Sequence, residues 1–194
     1  WMPEARRVPV ERFHAAIWNA DESWSRRIRA IEVVTELFDG LPENLAEKAP
    51  LSEHGPVRAR MAWSLGRSLP KKGETALLDL AQDVYPRVRV AALTALADLI
   101  DRQAIASSPE LAQTAASNLG HDDKRVRMAA SRLVRHLKPA HWRIARGACD
   151  RGSLRARLSF ALAEHFHDGA SGMFPSDKLR IAREALQSSN PVQR

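Results

Sequence analysis

Val57-Arg58-Ala59-Arg60-Met61-Ala62-Trp63-Ser64-Leu65 decides the fold of this chain, because its arrangement returns three more times. An apolar residue is followed by Arg, and further apolar residues stand four and eight positions after the first. Val88-Arg89 leads to Ala92 and Leu96, Val126-Arg127 to Ala130 and Val134, and Leu154-Arg155 to Leu158 and Leu162. At roughly 100° per residue, offsets of 0, +4 and +8 fall within about a quarter of a helix circumference. Each segment therefore predicts an amphipathic helix with one buried stripe. Successive arginines are separated by 31, 38 and 28 residues, the spacing of arrays built from two-helix units.

Shorter apolar-periodic stretches at 42–50, 73–83, 108–120 and 139–149 supply the first helix of each pair. Turns fall at His54-Gly55-Pro56, Asp83 to Pro86, Gly120 to Asp123 and Asp150-Arg151-Gly152. Ser108-Pro109-Glu110 reads as a helix start, with Ser as N-cap and Pro at the first helical position. The outer segments depart from the pattern. Ile28-Arg29 has Glu32 and Glu36 where apolar residues are expected, and Leu179-Arg180 has Arg183. Terminal units need one polar outer face, so 9–41 is expected to be an N-terminal capping repeat, 42–167 four regular repeats and 176–188 a C-terminal capping helix. Residues 168–175, rich in Gly and Ser with a Pro stop, are expected to form a loop within a single 1–194 domain.

Composition agrees with helices throughout. Ala, Leu and Arg dominate the 194 residues, Tyr occurs once, and β-branched residues do not run together, which predicts an all-α class. One cysteine, Cys149, excludes an internal disulfide and a multi-cysteine zinc site, and it fits a reducing, cytoplasmic setting. No apolar run reaches membrane-spanning length, and no secretory signal stands at the N-terminus. Trp1 precedes Met2, so the chain reads as starting on a tag remnant or as cut from a longer polypeptide.

The acidic turn, the apolar-Arg pair and the Ala-rich helix together resemble the HEAT-repeat family, especially the short bacterial HEAT-like repeats also seen in phycobilin lyases. The resemblance covers about residues 42–167, more loosely 9–188. It implies an α-solenoid, a right-handed superhelix of helical hairpins with the Arg-bearing helices on the concave side. It also implies a ladder of ion pairs, with Glu53 matched to Arg58, Asp83 to Arg89, Asp122 or Asp123 to Arg127, and Asp150 to Arg155.

Between Lys124 and Arg157 stand eleven basic side chains and one acid, Asp150, so this window is more positive than the whole chain at +7. Like charge gathered in this way repels itself unless an anionic partner relieves it. Arg127 and Arg155 belong to the implied ladder, which leaves nine. Arg125, Arg132 and Arg135 share one helix side at offsets −1, +6 and +9, Lys124 flanks them, and Arg87 holds the −1 offset one unit earlier. Arg143 and Arg146 lie three apart beside Trp142, and Arg157 follows. At +6, pointing away from the buried stripe, the row reads Trp63, Thr94, Arg132, Phe160, an aromatic and guanidinium strip suited to stacking or to anchoring a partner. The plainer readings are a solvated charged face and aromatics packed between helices. The expected partner-binding set is Trp63, Arg87, Lys124, Arg125, Arg132, Arg135, Arg143, Arg146, Arg157 and Phe160.

No catalytic constellation stands out. His165 and His167 are two apart and point to different helix sides, so no metal site is expected, and there is no phosphate-cradling glycine loop, GxSxG or CxxC. The expected function is a non-catalytic binding scaffold without cofactor. Its basic surface would dock an acidic protein segment or a neighbouring domain. The alternative partner is nucleic acid, including a relationship to HEAT-like DNA glycosylases, for which Glu164 is the one acid beside the basic region.

Overall fold

The computed structural model describes residues 7–165 together with Arg180, Ile181, Arg183, Glu184 and Gln187. Among the described residues there are ten α-helices and no strand. They are α1 (Val10–Trp18), α2 (Trp24–Leu37), α3 (Glu43–Glu47), α4 (Gly55–Arg67), α5 (Gly73–Leu80), α6 (Pro86–Asp101), α7 (Pro109–Leu119), α8 (Lys124–Arg135), α9 (Pro139–Asp150) and α10 (Leu154–His165), with a 3-10 turn at Ala49–Leu51. The expected loop at 168–175 lies outside the described residues, as does most of the capping helix at 176–188. No described helix is long and apolar enough to cross a membrane.

Helix starts follow the local chemistry read from the sequence. Ser108 accepts from the Leu111 N–H with Pro109 at the first turn, Ser23 accepts from Arg26 N–H, and Asp123 accepts from Arg125 N–H. Two glycines are required by geometry. Gly40 turns the chain out of α2 with φ +95°, where a Cβ would lie 1.6 Å from Ser68 Oγ. On α4, a Cβ at Gly66 would come 2.7 Å from that of Ala95, so α4 and α6 approach too closely for any side chain there.

The chain forms two compact units, one ending at Leu99 and the other beginning at Ile100. In the first, α1 packs on α2, α2 on α4, and α4 on α5. The stripes expected at Val57, Met61 and Leu65 and at Val88, Ala92 and Leu96 are fully buried. In the second unit, α7 packs against α8, α9 and α10, α8 against α10, and α9 against α10. Val126, Ala130 and Val134 are fully buried there.

Two stripes differ from expectation. On α2 the buried face is Arg27, Ala30, Ile31, Val33 and Val34, while Arg29 points outward and pairs with Glu32 at 3.0 Å. The Ile28-Arg29 register is therefore corrected by two residues. Arg27 is the inward guanidinium, donating from Nε to Ile17 O at 2.8 Å and from Nη2 to Ser52 Oγ at 3.2 Å. The second correction concerns α10. Leu162 is 53% exposed. Leu154 and Leu158 are only partly buried against Ala161 and Ile181. The deeper face of α10 carries Ala156, Phe160, Ala163 and Glu164, because α10 meets α7, α8 and α9 together.

Candidate anion-binding surface

The repeated arginines do not join the carboxylates that the family resemblance implied. Each of three reaches back to the carbonyl six residues before it. Arg58 donates to Ser52 O at 2.5 Å, Arg89 to Asp83 O at 2.5 Å, and Arg127 to His121 O at 2.8 Å. Carbonyls in a turn between helices lack an intrahelical donor, and a buried one left unpaired is costly. A guanidinium has enough donors to satisfy a carbonyl and a carboxylate together. Arg58 does both, gripping Asp83 through Nε at 2.6 Å and Nη2 at 3.0 Å. Arg155 bonds to Asp122, at the turn of the preceding helix pair. Glu53 and Asp150 are exposed and take no part. The constant six-residue offset was present in the sequence, but it became visible only once the carbonyls were placed.

The same contacts reduce the basic window. Asp123 holds Arg125 through two bonds, Nη2 at 2.8 Å and Nε at 3.2 Å, while capping α8. The Arg125 guanidinium and then its backbone N–H pull the Asp123 carboxyl down to about 2, and Asp123 in turn raises Arg125. Arg127 is spent on its turn, Arg155 on Asp122, and Arg157 on Glu184 at 3.0 Å. Arg146 is half-buried with Nη1 3.9 Å from Glu164. Arg132 is exposed on α8. Five exposed side chains remain that make no hydrogen bond or ion pair among the described residues: Lys124, Arg135, Lys138, Arg143 and Arg151.

Three of these five gather at one corner. Arg135 ends α8, Lys138 is the N-cap residue of α9, and Arg143 lies in its second turn. The Ser107 hydroxyl pins that corner by accepting from Lys138 N–H at 3.0 Å and bonding His141 Nδ1 at 2.6 Å. His136 adds a 3.4 Å contact with Asp101. A cation at the N-cap faces the positive end of the helix dipole, and no acid stands in the first turn of α9. Asp101 beside His136 and Glu110 near His141 offset part of the local charge, and the three cations extend from a backbone that is already fixed.

Of the two aromatics in the expected strip, Phe160 is turned inward. Phe160 is 2% exposed and meets Trp142 edge-on, with ring centroids 5.2 Å apart, so it is core of the second unit and not an anchor. Its side of α10 is covered because α9 brings Trp142 against it. Trp63, in the first unit, is half-buried with Arg60 and Arg67 stacked on its ring at 4.8 and 5.3 Å. Those two guanidinium groups also pair with Glu32 and Glu36, which accounts for Trp63 structurally. Arg87 is exposed and without a partner among the described residues, also in the first unit.

Among the described residues, no group of three or more His, Cys, Asp or Glu could hold a metal ion. Burial, aided by Asp150, pushes the Cys149 thiol up to about 12. Glu164 is 1% exposed, with Oε2 lacking a hydrogen bond, so its carboxylate does not face a duplex or any other large ligand. No protein-family model matches the chain, and no curated protein matches it in sequence.

Proposed function

We propose that this chain is a non-catalytic helical-repeat scaffold of the HEAT-like solenoid type, which docks an acidic protein segment or neighbouring domain on the α8–α9 corner. The observation that carries this reading is the cluster of Arg135, Lys138 and Arg143, exposed and unpaired on a corner held by Ser107. Side chains that meet no internal carboxylate retain their full attraction for an external one. A corner ordered beforehand also loses little backbone entropy on binding. An acidic peptide fits better than a single phosphate, because the cations are spread along a turn and one helical turn beyond it.

Fluorescence anisotropy of a labelled Asp/Glu-rich peptide across a salt series tests the reading, with wild type beside an Arg135/Lys138/Arg143→Ala variant. The expected result is binding that weakens with salt and falls at least about tenfold in the variant. Peptide binding indifferent to the three substitutions overturns it. Labelled duplex and single-stranded oligonucleotides belong in the same series. If they bind more tightly than the peptide and the variant flattens their salt slope, nucleic acid replaces protein as the partner.

A further inference from the structure

Within the first unit, α1 and α2 enclose an open groove of about 270 Å³. Its floor is apolar: Phe13, Ala16, Ala30 and Val33. Phe13 is held in place by Phe38, with ring centroids 5.9 Å apart. The rim is basic. Arg12, Arg26 and Arg29 border the groove with Glu22, and Arg29 is engaged by Glu32. Arg12 is exposed, and its side chain makes no hydrogen bond or ion pair among the described residues. Arg26, 76% exposed, offers only Nη1 to Glu22, at 3.1 Å, which leaves its Nε and Nη2 donors available.

We infer that this groove seats one large apolar side chain of a peptide segment whose flanking residues are acidic. The two parts of the surface demand the two parts of the ligand. A carboxylate placed over Phe13 and Val33 would lose water without gaining a donor. A wholly apolar ligand would cover the groove and leave Arg12 and Arg26 unanswered. An anchor in the groove with carboxylates on the rim satisfies both, and it is the usual division between the core and the rim of a peptide site. The volume lies below the range of about 300–1,000 Å³ of pockets that enclose small molecules, but it is enough for a single side chain. The groove is lined by no residue of α8 or α9, and the inference stands or falls without the reading given above.

Two labelled peptides test it, both Glu-rich and differing only in a central Phe or Ala, titrated against the whole chain by anisotropy. The Phe peptide is expected to bind about tenfold more tightly, from burial of one aromatic side chain. Ala16→Phe, which fills the groove, should remove that preference. Arg12→Glu with Arg26→Glu changes only exposed side chains and should weaken both peptides, with at most a small melting shift from the lost Glu22 pair. The preference should persist in the Arg135/Lys138/Arg143→Ala variant, which separates this site from the corner. A benzophenone in place of the central Phe should cross-link to α1 or α2. Equal affinity for the two peptides, a preference unmoved by Ala16→Phe and by the double charge reversal, or cross-links confined to other helices would overturn the inference.

Discussion

Asp83→Ala should be among the most damaging single substitutions in the first unit, and the structure supplies the magnitude. The Asp83 and Arg58 side chains are each 8% exposed, and the carboxylate accepts from Arg58 Nε at 2.6 Å, from Arg58 Nη2 at 3.0 Å and from Tyr85 N–H at 2.8 Å. Removing it strands a buried guanidinium that keeps the Ser52 carbonyl at 2.5 Å and the Tyr85 ring, whose centroid is 5.3 Å away. Breaking one partner of a buried pair costs about 3–5 kcal/mol, because the surviving charge is desolvated without compensation. That is a large part of the roughly 5–15 kcal/mol that stabilises a typical domain. Near the midpoint, 1 kcal/mol corresponds to about 2–4 °C for a chain of 194 residues. Melting therefore should fall by at least about 6 °C. The internal control is Glu47→Ala. Glu47 also holds a cation, Lys72 Nζ at 2.9 Å, but the two side chains are 57% and 50% exposed, so solvent already screens the pair and melting should stay close to wild type. Urea unfolding followed by far-ultraviolet circular dichroism measures both. A loss for Asp83→Ala below about 1 kcal/mol, or one equal to that of Glu47→Ala, would refute the argument that burial sets the strength of these pairs.

Phe160→Ala should cost about 3–5 kcal/mol in the second unit, because the ring is buried against Trp142 and leaves a cavity; denaturant titration reads this, and a loss under about 1 kcal/mol would return Phe160 to the surface. Asp123 is held down to about 2, below its ordinary value, so its contribution to stability is complete above about pH 4 and is lost as pH falls toward about 2. Acid melts of wild type and Asp123→Ala should therefore converge at low pH and separate above it. Cys149, raised to about 12, should resist iodoacetamide at pH near 8 in the folded protein and react fully in guanidinium chloride; mass spectrometry of the native protein showing rapid alkylation would contradict its burial.

Helix by helix, the sequence alone determined where the coils lie and which stripe of α4, α6 and α8 is inward. Val57, Met61, Leu65, Val88, Ala92, Leu96, Val126, Ala130 and Val134 are all fully buried, as a 0, +4, +8 pattern requires. That information is local: apolar periodicity, an N-cap Ser, a Pro in the first turn. The basic window was equally plain to read, yet its free part was not. Arg58 meets Asp83 at a distance of 25 residues, Arg155 meets Asp122 at 33, and Arg157 meets Glu184. No helical period encodes which turn lies under which guanidinium, so the number of arginines left for a partner waits on how the helices stack. The same dependence turned Phe160 inward, because α10 packs on three helices where a simple hairpin would cover one side. Tertiary packing also moved the inward arginine of α2 from Arg29 to Arg27, since the carbonyl of Ile17 and the hydroxyl of Ser52 converge only there. Helix formation and burial periodicity are written within a few residues of each position, whereas charge neutralisation is settled between segments that only the folded chain brings together.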